Sequence, residues 1–141
     1  MSLPFGATIP FVDHLGVTLE KFEDGQSILH FTPQVHHQNS FGVTHGGAVM
    51  TLLDVAMATA ARSVAPEWGV VTIEMKTAFM RPAQVDAGQT LVAAGQLLHR
   101  TRKLAFTEGR IFDAQGQLCA HATGTFKYMA RRESQASPST D

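Results

Sequence analysis

One segment dictates how the rest of this chain must fold. From Gly46 to about Ala65 the sequence runs Gly-Gly-Ala-Val-Met-Thr-Leu-Leu-Asp-Val-Ala-Met-Ala-Thr-Ala-Ala before Arg62 and Ser63. Ala, Met and Leu favour a helix. Apolar residues on nearly every face mark that helix as buried on most sides. Thr44 is placed to cap its start and Pro66 to close it. A helix of this kind needs the remaining chain as its cover.

The flanking segments have the pattern to supply it. Leu15 to Leu19 alternates apolar and small residues, Asp24-Gly25 makes a hairpin turn, and Ser27 to Phe31 runs back. Pro33 ends that ladder, and residues 33–44 read as loop. Four segments of strand character follow the helix, at about Val70–Arg81, Gln89–Thr101, Lys103–Asp113 and Gln117–Tyr128. In the first of them Val71, Ile73 and Met75 alternate with Thr72, Glu74 and Lys76, the period of a half-buried strand. Asp113-Ala114-Gln115-Gly116 is a second hairpin turn, and Pro82 to Gly88 a longer loop. The expected fold is α+β, a curled antiparallel sheet of five to six strands around one long central helix. Such a sheet leaves an edge for a second copy to pair with.

With 141 residues the chain suits one domain, expected over residues 1–130, and residues 131–141 read as a disordered C-terminal tail without large apolar side chains. Its 11 Lys+Arg against 12 Asp+Glu provide no basic field for a phosphate backbone, so no nucleic-acid partner is expected. Ala48 to Ala61 is too short, and carries Asp54, to be one of the roughly 18-residue apolar runs that span a membrane. No signal-peptide pattern opens the chain, which points to a cytoplasmic protein. The single cysteine, Cys119, excludes an intrachain disulfide and a CxxC metal cluster. Seven histidines are scattered rather than set at zinc spacing, so no metal is expected, and the adjacent His36-His37 reads as loop surface.

Three features point to chemistry. Asp54 is a lone carboxylate inside the most apolar helix, where burial raises a carboxyl pKa. It is either a reactive acid or a side chain reaching an interface. His45-Gly46-Gly47 opens the same helix. Free amides there carry partial positive charge and glycines admit a substrate oxygen, although a tight turn would use the same residues. Arg81, Arg100, Arg102 and Lys103 form a positive set near the strand connections, an anchor for the phosphates of a thiol carrier or a solvated edge. Thr72 is either a hydrogen-bond donor from its strand or solvent-facing. Met50, Met57, Phe79, Phe5 and Phe11 could line an acyl pocket or belong to the core.

The run Asn39-Ser40-Phe41-Gly42-Val43-Thr44-His45-Gly46-Gly47, with Asp54 nine residues past the histidine, is more specific than its parts. Together with Glu74 to Ala83 and the closing Gly116…Ala120…Gly124-Thr125-Phe126, it resembles the hotdog-fold acyl-CoA thioesterases. The likeness is to the PaaI-like (phenylacetic acid degradation) group of the 4-hydroxybenzoyl-CoA thioesterase superfamily, over roughly residues 10–129. The resemblance implies a hydrolase acting on an aryl- or medium-chain acyl-CoA, with coenzyme A as part of the substrate and no separate cofactor. It places the catalytic carboxylate on Asp54, the helix-start amide on Gly46 with Gly47 beside it, the polar loop residue on Asn39 and the water-holding hydroxyl on Thr72. His45 becomes the motif histidine that orders the loop. It also implies a homodimer that pairs again into a homotetramer.

The spacing bears on assembly independently. Eight residues of helix separate Gly46 from Asp54, about 12 Å. One thioester carbonyl, needing a contact of about 3 Å with each, cannot touch both in one subunit. The expected site is therefore composite, with Asn39 and Gly46 from one copy and Asp54 and Thr72 from another. Two other functions fit a hotdog domain: a non-catalytic acyl-CoA sensor or carrier, which has no use for Asp54, and a dehydratase, whose His-acid loop pattern is absent.

Overall fold

The computed structural model describes residues 2–131. It has a short helix α1 (Pro10–Leu15), strands β1 (Thr18–Glu23) and β2 (Gln26–Phe31), and a 3₁₀ turn at Val35–His37. The central helix α2 (Gly46–Arg62) comes next, then β3 (Trp68–Phe79), β4 (Leu91–Arg100), β5 (Leu104–Phe112) and β6 (Leu118–Ala130). The strands form one six-stranded sheet in the order β1-β2-β4-β5-β6-β3, with every pairing antiparallel. This is the hotdog arrangement expected from the sequence.

The turns form where their residues predict. Asp24 and Gly25 both take positive φ, 54° and 77°, as a two-residue hairpin between right-twisted strands requires. Asp113 Oδ1 accepts the Gln115 and Gln117 amides and so closes the β5–β6 turn. Among the described residues no helix is long and apolar enough to cross a membrane.

α2 lies directly on the sheet. Leu53, Ala56, Met57, Ala60 and Ala61 have no exposed surface, and burying a Leu or Met side chain contributes about 1.5–3 kcal/mol. Closest approach is at Gly95 on β4, where a Cβ would stand 2.1 Å from the Ala56 carbonyl oxygen. Beside it the Ser27 hydroxyl donates to that same oxygen at 2.6 Å. Met57 fills the space over Gly109 and Gly124, which makes it core rather than pocket lining.

Four local expectations are corrected. His45, not Thr44, caps α2, with Nδ1 accepting the Gly47 amide at 2.8 Å, while Thr44 is buried. The helix stops at Arg62, short of Ala65, because Ser63 turns back onto the Thr59 and Ala60 carbonyls and its Oγ accepts the Gly25 amide. His37 is buried, its ring tilted against Phe31, with Nδ1 accepting the Gln34 amide, while burial and the neighbouring His36 lower its pKa. The last correction concerns β3. Its register against β6 slips between Thr72 and Glu74, so Ile73 is an extra, bulged residue. Val71 and Ile73 therefore stand exposed, at 46% and 55%, instead of facing the core.

Candidate active site

The bulge decides where Thr72 points. In an unbroken strand Thr72 and Met75 would lie on opposite faces. With Ile73 looped out, Met75 packs against the core and Thr72 also faces α2, where its Oγ1 donates to Asp54 Oδ1 at 2.6 Å. Asp54 is half-buried on the helix. Loss of hydration raises its pKa above the ordinary carboxylate range, and the Thr72 hydrogen bond opposes that rise. Asp54 and Thr72 line one wall of a cavity of about 370 Å³ between α2, the start of β3 and residues 7–9.

The other half of the motif lies at the N-terminal end of the helix, exposed to a second cavity, of about 360 Å³, lined by Asn39, Gly46, Phe79 and Arg81 among others. Asn39 ties its own loop. Its Oδ1 accepts the Phe41 and Val43 amides at 2.9 and 3.3 Å, and its amide and carbonyl bond to Val43 and Gly42. Only the oxygen of an Asn side chain can accept, so these two bonds fix its orientation and leave Nδ2 as the group for a ligand.

The first two helical amides differ. The Gly47 amide is engaged by His45 Nδ1, so Gly47 is not the donor to a substrate that the sequence allowed; it is glycine because a Cβ would come within 3.1 Å of that nitrogen. The Gly46 amide has no acceptor among the described residues and opens on the cavity. A donor of this kind at the positive end of a 17-residue helix can polarise a carbonyl oxygen. His45 itself borders neither cavity.

The remaining candidates separate. Arg81, at the end of β3, borders the Gly46 cavity and bonds to Gln117. Arg100 instead lies over the Tyr128 ring, 4.6 Å from its centroid, and Arg102 and Lys103 stand at the β4–β5 turn near Lys127. The β6 register puts Ala120 opposite Phe79 but Lys127 opposite Leu104, so the two groups occupy opposite ends of the sheet. They are not one positive cluster within a protomer, because β-pairing carries Arg81 away from the β4–β5 turn. Phe79 lies against Gly46, 3.6 Å from where its Cβ would be. Met50 is 38% exposed and borders neither cavity, Phe11 is exposed, and Phe5 packs on the core. Sequence reasoning passed over Arg62, which lines the Asp54 cavity; its signal was a cation in the last turn of an otherwise apolar helix.

A six-stranded antiparallel sheet wrapped on one helix, with an acid on that helix and a free amide at its start, defines a class. The family model of the thioesterase superfamily matches residues 41–120, and the chain belongs to that superfamily. A candidate esterase of Saccharolobus solfataricus is 28% identical over 112 residues, 79% of this chain and 73% of that protein. A conserved protein of Pseudomonas aeruginosa has a similar structure, at TM-score 0.80 and 26% identity over 88% of this chain and 97% of that one. So does a variant of the phenylacetic acid degradation protein PaaI of Thermus thermophilus, at TM-score 0.75 and 25% identity, covering 84% and 98%. The protein is a thioester hydrolase of the hotdog fold.

Proposed function

We propose that this hydrolase cleaves an acyl-CoA thioester, aryl or medium-chain in its acyl part, in a site shared by two copies of the chain. The observation that carries this reading is the partition of the motif. Gly46 and Asn39 open on one cavity and Asp54 and Thr72 on another, about 12 Å apart along one helix. Each half lacks what the other supplies. The uncovered edge of β3, with Val71, Ile73 and Phe79 exposed, offers the surface on which a second copy would bring them together.

In the proposed reaction the Gly46 amide and Asn39 Nδ2 of one copy hold the thioester oxygen as it gains charge. Asp54 of the other takes a proton from water as the water oxygen attacks the carbonyl carbon. The carbon–sulfur bond then breaks, and the departing CoA thiolate takes up a proton. Burial raises the Asp54 pKa, which makes the ionised carboxylate a stronger base toward water. Arg81, beside the Gly46 cavity, is placed to meet a phosphate of the carrier.

Thiol release from a panel of aryl- and alkyl-CoA thioesters tests the chemistry. Asp54→Asn should lower the rate by about two orders of magnitude or more, the usual scale for a general base. Binding of CoA esters without turnover by the unaltered protein would return the fold to a carrier role. Mixing tests the sharing. Asp54→Asn protein and Asn39→Ala, Gly46→Pro protein, each inactive, should regain activity together because one intact composite site forms per mixed dimer. No recovery after confirmed subunit exchange would rule out the shared site.

A further inference from the structure

Arg62 is the buried charge that the proposed reaction leaves unused. It ends α2 with 6% of its surface exposed, and among the described residues its hydrogen bonds go to two backbone carbonyls, Nη1 to Phe5 at 2.9 Å and Nε to Trp68 at 3.4 Å. The Phe22 ring lies 5.7 Å from its guanidinium carbon. Among the described residues neither Arg62 nor Arg131 has a carboxylate within ion-pair distance. A guanidinium has five N–H donors, and a buried cation is stable when an anion meets it. Arg131, which donates to the Gly6 carbonyl, reaches the same place.

Both arginines line the cavity that contains Asp54. Asp54 and Thr72 mark one end of it, Arg62 and Arg131 the other, and Ile9, Val55, Ala58 and Val70 give the walls apolar surface. A ligand occupying the whole length must be apolar in the middle and bear an acceptor, best an anion, at its far tip. Asp54 would repel that tip and the arginines attract it, so only one orientation is favoured.

We propose that this cavity receives the acyl group and that the substrate class is thioesters whose acyl part ends in a carboxylate, held by Arg62 and Arg131. The proposal rests on the thioesterase reading of Asp54. Its length is set by the helix. Eight residues of helix, about 12 Å of rise, separate residues 54 and 62, which suits a short acyl group rather than a long chain. A para-substituted ring or a short dicarboxylic chain meets that description. The phosphates of coenzyme A are a poorer fit, since Arg62 is enclosed and Ile9, Val55, Ala58 and Val70 give its cavity apolar walls.

Matched pairs of thioesters test this: adipoyl-CoA against hexanoyl-CoA, and 4-carboxybenzoyl-CoA against 4-methylbenzoyl-CoA. The carboxylate-tipped member should have a kcat/KM at least about tenfold higher, and Arg62→Met should erase most of that ratio. Because Arg62 also ties Phe5 and Trp68, Arg131→Met serves as a second variant that should reduce the ratio without touching those ties. An equal loss on every thioester would assign the arginines to the carrier and overturn the proposal, as would a wild-type ratio near one. A binding readout separates this from the thioesterase reading. Hexanoate, but not the uncharged hexanol, should raise the melting temperature of the wild type and of Asp54→Asn, and not of Arg62→Met or Arg131→Met. That stabilisation without hydrolysis of any thioester would retain the anion subsite and reject the hydrolytic role of Asp54. Hydrolysis without either preference or stabilisation would do the reverse.

Discussion

The Thr72 hydroxyl and the burial of Asp54 act on one proton in opposite directions. Burial destabilises the carboxylate and raises its pKa, while the hydrogen bond from Oγ1 stabilises the ionised form and pulls the pKa down. As the proposed base, Asp54 must be ionised to work, so activity should be lost as pH falls through its pKa in the folded protein, which burial holds above the ordinary carboxylate range. Thr72→Val removes the lowering influence and keeps the shape. The acid limb of its kcat/KM profile should therefore move to higher pH, since kcat/KM reports the free enzyme's base. An unmoved limb would separate Thr72 from the acid. Gly47 shows the same economy of means at the start of the helix, where its missing Cβ lets His45 Nδ1 take one amide and leave the Gly46 amide open.

At the scale of elements, the helix is positioned by what the sheet lacks. Gly95, Gly109 and Gly124 lie under α2 on β4, β5 and β6; a Cβ at Gly109 or Gly124 would crowd the Met57 side chain at 3.0–3.1 Å, and one at Gly95 would strike the helix backbone at 2.1 Å. Gly95 is the most restrictive, because its neighbour is backbone and cannot rotate away. Gly95→Ala should lift the helix and cost about 3 kcal/mol, seen as a melting temperature lower by about 10 °C. An unchanged melting curve would mean that the helix seat is softer than its geometry implies. The β3 bulge works in the other direction. By adding one residue it turns Thr72 toward Asp54 without turning Met75 out of the core.

For the whole molecule the sheet has two unlike ends. Leu3 pairs with Leu19 and covers part of the β1 edge, whereas β3, twelve residues long, has β6 on one side and nothing on the other among the described residues. Long uncovered edges with apolar side chains favour pairing with another chain, and lysine is the residue that blocks it. Ile73→Lys combined with Val71→Lys should yield a monomer in sedimentation, and that monomer should release no thiol. An active monomer would show that one chain suffices for catalysis. An active dimer would place the interface elsewhere. Residues 132–141, the bulk of the expected tail, lie outside the described residues, while Arg131 is tied to Gly6 and borders the Asp54 cavity.

The amino-acid order by itself determined the local and the periodic. Helical propensity with apolar residues on all sides marked α2, Asp24-Gly25 and Asp113 to Gly116 marked the turns, and the Asn39 to Gly47 run with Asp54 marked the family. These signals depend on neighbours along the chain, so they are legible there. Only the tertiary structure decided what depends on neighbours across it. The β3 bulge breaks a period-2 pattern that looks continuous, and the contact it permits, Thr72 with Asp54, joins residues eighteen apart in the chain. Met57 is core and Phe79 borders a cavity, although both are large apolar residues with no local mark to separate them. The charges followed suit: β-pairing parted Arg81 from Arg102 and Lys103, and helix length carried Arg62 into the Asp54 cavity. Attraction and repulsion between charges depend on distance in space, and that distance is set by the packing of the sheet on its helix.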